Sequence, residues 1–135
     1  AGVQYAAGLW AALGGPGCQV VVHELEGRVP AGDTEARERR DGALTAAGDG
    51  GVVVADGLAV GALPEILEAH VELPLVVLVH HPLADESGIG PAEVARFRLA
   101  ETRALAAALR IVVTSPFKPE RLRDFGLEGD RVRLV

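Results

Sequence analysis

Residues 73–84 read Leu73-Pro74-Leu75-Val76-Val77-Leu78-Val79-His80-His81-Pro82-Leu83-Ala84. A seven-residue run with neither charge nor polar alternation suits a strand covered on both faces, as strands of a parallel sheet are. Two imidazoles and a proline end it. Working outward, shorter apolar runs recur at Val20–Val22, Val52–Ala55, Ile111–Val113 and Val132–Val135. Their spacing of roughly 20 to 40 residues leaves room for one crossover helix between successive strands.

The intervening segments carry helical periodicity and helix punctuation. Val3, Ala6, Trp10 and Leu13 step by three and four residues up to the stop at Gly14-Gly15-Pro16-Gly17. A second helix is predicted near Thr34 to Ala47, opened by Asp33 or Thr34 and closed by Gly48. A third covers Leu63 to His70, with Pro64 in its first turn. The fourth and longest spans about Pro91 to Arg110, and a fifth runs from Ser115-Pro116 to Gly126. The resulting alternation of helices and strands predicts an α/β fold: a Rossmann-like three-layer sandwich around a mostly parallel sheet. A doubly wound domain normally begins with the strand at the centre of its sheet, whereas this chain opens on a helix. The expectation is therefore one domain over residues 1–135, incomplete at both ends, with the first, central strand outside it. With the usual 3-2-1-4-5 order, that strand belongs between Val20–Val22 and Leu73–Val79.

Composition narrows the function classes. The 135 residues carry a net charge of −6 and are 49% hydrophobic, which excludes an intrinsically disordered chain. Neither half offers a basic stripe for a phosphate backbone, so nucleic acid is not expected as a partner. The single cysteine, Cys18, allows neither an intrachain disulfide framework nor a cysteine metal cluster, and fits a reducing, cytoplasmic compartment. No apolar run approaches the ~20 residues of a membrane-spanning helix, so no transmembrane segment is expected.

In a parallel sheet, function gathers where strands end and helices begin. The edges to weigh are His23-Glu24, Asp56-Gly57, His80-His81-Pro82 and Thr114-Ser115-Pro116, together with Gly2 near the start of the chain. His80-His81 is the strongest, because successive side chains diverge there and one imidazole should face the crevice. It could exchange a proton or bind a substrate hydroxyl, or it could simply cap a neighbouring helix or carbonyl. The polar loop from Pro82 to Gly90, with Asp85, Glu86 and Ser87, reads equally as a cover for a ligand and as a solvated connection. Glu101 lies on the apolar stripe of the long helix between Phe97 and Leu105, a place for a carboxylate paired in the core or used in function. A rise of 1.5 Å per residue puts it roughly 15 Å below the lip, which favours structure. Gly57 and Gly61 lack a third glycine, a lysine and a following acid, so neither a dinucleotide site nor a P-loop is indicated. No zinc ligand set and no nucleophile elbow can be placed.

The order of these features resembles the N-terminal domain of retaining glycosyltransferases of the GT-B fold, the group 1 or family 4 type. The resemblance rests on residues 73–84, Glu86-Ser87-Gly88, Glu101-Thr102-Arg103-Ala104-Leu105, Ile111-Val112-Val113-Thr114-Ser115-Pro116 and Asp130-Arg131-Val132-Arg133-Leu134-Val135. Gly2-Val3-Gln4-Tyr5 is similar to the family's glycine-rich loop, and Ala11-Ala12-Leu13 to Val22 to its first crossover.

The resemblance implies transfer of a sugar from a nucleotide-sugar donor to an acceptor hydroxyl, in a cleft between two Rossmann-like domains. This chain would supply the acceptor-side half and would be inactive alone. A C-terminal nucleotide-binding domain, outside this chain, would be its partner. His80 would be the catalytic-site residue against the transferred sugar, with Gly2, His81, Glu86 and Asp56 as substrate-binding residues. No cofactor or metal is expected, the nucleotide-sugar being a substrate. The diphosphate is itself the leaving group, so a glycosidase carboxylate pair is not required in this half. The alternative is a noncatalytic α/β module that binds a ligand or partner through the same crevice.

Overall fold

The computed structural model describes residues 12, 14–23, 34–47, 50–114, 121, 123–127 and 129–135. Among them, four strands form one sheet in which every neighbouring pair is parallel: β1 (Val53–Asp56), β2 (Leu75–Val79), β3 (Arg110–Val113) and β4 (Val132–Leu134), in that order. The helices are α1 (Thr34–Ala47), α2 (Gly57–Val60), α3 (Pro64–Ala69) and α4 (Pro91–Ala106), with a 3₁₀ turn at Leu83–Asp85. The molecule is α/β with helices flanking an all-parallel sheet, consistent with the expected Rossmann-like three-layer sandwich.

Each element has a local cause. Pro64 occupies the first turn of α3 and Pro91 that of α4, where a missing N–H costs nothing and the fixed φ suits the helix. On α4, Phe97, Glu101, Ala104 and Leu105 are buried, a stripe stepping by four, three and one, while Leu99 on another side is 66% exposed. Strand residues alternate faces, and the register carries that alternation across the sheet. Val53 and Ala55 lie level with Leu75 and Val77; Val77 and Val79 with Ile111 and Val113; Ile111 with Val132. This shared face meets Leu63, Leu67, Leu105 and Phe125 in the core. Burying each such side chain is worth about 1.5–3 kcal/mol. On the opposite face Leu78 is buried, while Val54, Val76 and Val112 are half-buried.

Two expectations about the sheet are corrected. Val20–Val22 forms no strand, and Val21 and Val22 are 65% and 50% exposed. A run of three apolar residues without a paired neighbour gains too little burial to hold the extended form. Nor does the sheet keep a seat open beside Leu75–Val79, since Val53–Asp56 pairs with that strand directly. Residues adjacent along the chain are therefore adjacent in the sheet, and the 3-2-1-4-5 placement of these runs does not hold. The Gly14–Gly17 stop is a turn, closed by the Cys18 amide donating to the Gly15 carbonyl at 3.0 Å, with Gly17 at φ +87°. The first predicted helix and the start of the fifth lie largely outside the described residues. No helix among the described residues is long and apolar enough to cross a membrane.

Candidate functional site

The parallel register decides which side chains meet at the carboxyl edge of the sheet. Asp56 lies level with Leu78, and Leu78 with Val112. Two residues on from Leu78 and Val112 stand His80 and Thr114, on the same face as the residues two before them because strand side chains repeat every second position. The ladder persists to that level, the Thr114 amide donating to the Val79 carbonyl at 3.1 Å. Three strand ends thus bring together a carboxylate, an imidazole and a hydroxyl.

The geometry is specific. Thr114 Oγ1 lies 2.6 Å from His80 Nδ1. Asp56 Oδ2 is 3.5 Å from His80 Nε2, an ion-pair distance rather than that of a well-made hydrogen bond. The other carboxylate oxygen, Oδ1, accepts from the Leu58 amide at 2.8 Å and so caps the short helix α2. Gly57 packs so tightly under this edge that a Cβ there would stand 3.0 Å from the Leu78 carbonyl oxygen. His80 is 21% exposed at the side chain and Asp56 39%, while the His80 Nε2 atom that faces Asp56 is itself buried. Hydroxyl, imidazole and carboxylate occur here in the order of an acyl-transfer relay, but the carboxylate stands at Nε2 and makes no close bond. The arrangement orients an imidazole.

The adjacent histidine goes elsewhere. His81 Nε2 is 2.5 Å from Glu86 Oε1, a pair with both side chains more than a third exposed. Of the predicted site residues, then, the structure joins His80 with Asp56 and, separately, His81 with Glu86. Gly2 lies outside the described residues. Thr114 was weighed only as part of a strand end; its partnership with His80 was legible in principle, by counting two positions past the level residues of neighbouring parallel strands.

The loop after β2 is tethered rather than loose. Pro82, Leu83 and Ala84 are buried, and the Leu83 amide donates to both oxygens of Glu101, at 3.0 and 3.2 Å. Asp85 pairs with Arg121. Glu101 is 2% exposed, and its burial pushes the carboxyl up from 4.5 to about 7, against the pull of the Leu83 and Ala84 amides and the charge of His81. It is paired within the core, as expected. Its partner, however, is the loop that follows His80, because that loop folds down along α4 instead of staying at the lip. His70 caps the end of α3 and meets Asp41 at 2.8 Å, a structural contact. Among the described residues no group of three or more His, Cys, Asp or Glu side chains is placed to hold a metal ion.

No family model, curated protein or solved structure matches this chain.

Proposed function

We propose that this chain forms the acceptor-side half of the cleft of a retaining glycosyltransferase that uses a nucleotide-sugar donor, with His80 contacting the transferred sugar. One observation carries the reading: the imidazole that the resemblance assigns to the sugar stands at the carboxyl edge of a parallel sheet, held between Thr114 and Asp56. A transition state with oxocarbenium character, departing from a diphosphate, is stabilised by fixed polar groups that need no reorganisation. An imidazole oriented from both sides meets that requirement better than a freely rotating one. Asp56 helps to hold the ring, while His81 and Glu86 extend the polar edge toward the acceptor. Gly2 would approach the donor phosphates, and a nucleotide-binding domain would close the cleft. A cytoplasmic setting fits the lone, exposed Cys18.

Two measurements test this. Chemical-shift mapping of the chain against a panel of free hexoses and nucleotide-linked hexoses should move His80, Asp56 and Thr114 first. In a polypeptide that joins this chain to a nucleotide-binding domain, His80→Ala should cut turnover by about a hundredfold or more, the scale of a positioned proton-transfer or charge-stabilising group. Near-normal turnover in that variant refutes the role of His80. Binding of a hexose without transfer in any such polypeptide would instead favour the noncatalytic module.

A further inference from the structure

The two loops that carry Asp56 and His80 meet over one buried carboxylate. Leu83 and Ala84 open the 3₁₀ turn, and the amides at the start of such a turn have no carbonyl of the same turn to bond. The later amides are satisfied internally, Asp85 donating to the Pro82 carbonyl at 3.0 Å and Glu86 to that of Leu83 at 3.2 Å. The orphan Leu83 amide is taken by Glu101, donating to both of its carboxylate oxygens. On the other side of the same point sits Gly61, the C-cap of α2: a Cβ there would be 2.7 Å from the Gly57 oxygen, 3.0 Å from Leu83 Cδ1 and 3.7 Å from Glu101 Cγ. An apolar residue at 101 would fill the space without the desolvation cost of a carboxylate but would leave the Leu83 amide buried and unbonded.

The structure assigns to Glu101 the role of positioning residue for the His80 edge: by clamping the Leu83 amide it fixes the turn against Gly61 and so sets where His80 and His81 stand relative to Asp56. Buried at 2% exposure, Glu101 does not reach a ligand itself. Its bearing on ligand binding rests on the sugar-transfer reading above, whereas the clamp does not.

The test uses the full 135-residue chain as wild type, Glu101→Gln, which keeps one acceptor, Glu101→Met, which keeps none, and Gly61→Ala, which presses on Leu83 from the opposite side. Amide hydrogen exchange at Leu83 should speed up about tenfold in the Gln variant and more in the Met variant, a loss typical of one and then two bonds. The His80 ring resonances should shift in all three, while exchange at Val77 and Ile111 in the sheet changes only by as much as the global stability does. A uniform loss of protection at Leu83 and Val77 alike, or an unmoved His80 ring, would make Glu101 a general stabiliser and overturn the proposal. Should the Met variant not fold, the Gln protein decides it alone. The hexose and nucleotide-hexose panel separates the two ideas. A loosened turn in a chain whose wild type binds no probe keeps the clamp and rejects sugar transfer, while equal probe affinity for wild type and Glu101→Gln rejects the positioning role.

Discussion

The two ends of the sheet are built from the same strands and differ completely in chemistry. At the carboxyl end, Asp56, His80 and Thr114 converge from three strands, with the Leu58 amide holding the Asp56 carboxylate and Thr114 bonded to the imidazole. At the amino end, an open groove of about 400 Å³ is lined by Val71, Leu73, Pro74 and Leu109, with Glu72 and Arg131 at its rim. Arg131 there is spent on structure, its guanidinium donating to the carbonyls of Ala106 and Ala108 at 3.2 Å and so finishing α4. The candidate site is drawn from the convergence of oriented polar groups, because they supply the directional interactions that ligand specificity requires.

The sharpest way to break this contrast is to exchange the ends experimentally. In a joined polypeptide, His80→Ala is expected to lower turnover by about a hundredfold or more with an unchanged melting temperature, while Arg131→Ala leaves turnover intact. Steady-state rates beside a thermal melt check it, and equal losses at both ends would erase the distinction.

Next in size comes the core that both ends share. Ile111 is 0% exposed and lies between β2 and β4, so Ile111→Ala should cost about 2–5 kcal/mol in denaturant unfolding. A cost below about 1 kcal/mol would mean that the middle of the sheet is not packed as described.

Glu101 gives the carboxyl end a pH dependence. Its carboxyl is raised from 4.5 to about 7, so between those values the folded chain keeps a proton that the unfolded chain has released. The stabilisation from that proton is fully present below about pH 4.5 and is lost as the pH rises through about 7. The loss is on the order of 3 kcal/mol. It is read as the difference between the stability profiles of wild type and Glu101→Gln, and parallel profiles would sink it.

The smallest expected effect is Arg131→Ala itself, a loss of about 1 kcal/mol from the freed carbonyls at the end of α4. Faster exchange of amides in the last turn of α4 would locate it, with no change at His80.

Much of the scaffold is legible in the sequence. Thr34–Ala47 and the starts at Pro64 and Pro91 follow from caps and proline placement, which are local and act through a few neighbouring residues. The apolar runs at Val52–Ala55, Leu73–Val79, Ile111–Val113 and Val132–Val135 are strands within two residues of their expected limits, although the last is largely exposed. Val20–Val22 shows where this reasoning overreaches: valines favour extended backbone, yet a strand also needs a partner and cover. The helix α2 and the 3₁₀ turn went unseen because four- and three-residue segments carry no period to detect.

At the site the division is similar. His80 and Asp56 were visible as polar residues ending apolar runs, but their approach depends on the register Asp56 to Leu78, which no single run encodes. Thr114 looked like any residue closing a strand until that register carried it to 2.6 Å from the imidazole. Glu101 was visible as a carboxylate on an apolar stripe. Counting helical rise separated it from His80 because the count treats the intervening loop as fixed at the lip, whereas Pro82, Leu83 and Ala84 turn down to meet it.

By itself, then, the sequence determined the class of fold, the parallel habit of the strands and the edge at which polar side chains gather, because these depend on the local pattern of apolar and polar residues. The strand order, the grouping of Asp56, His80 and Thr114, and the clamp of Glu101 on the turn were decided only in the tertiary structure. Each joins residues far apart in the chain, and such contacts are selected by the burial and hydrogen bonding of the whole rather than by the preference of any segment.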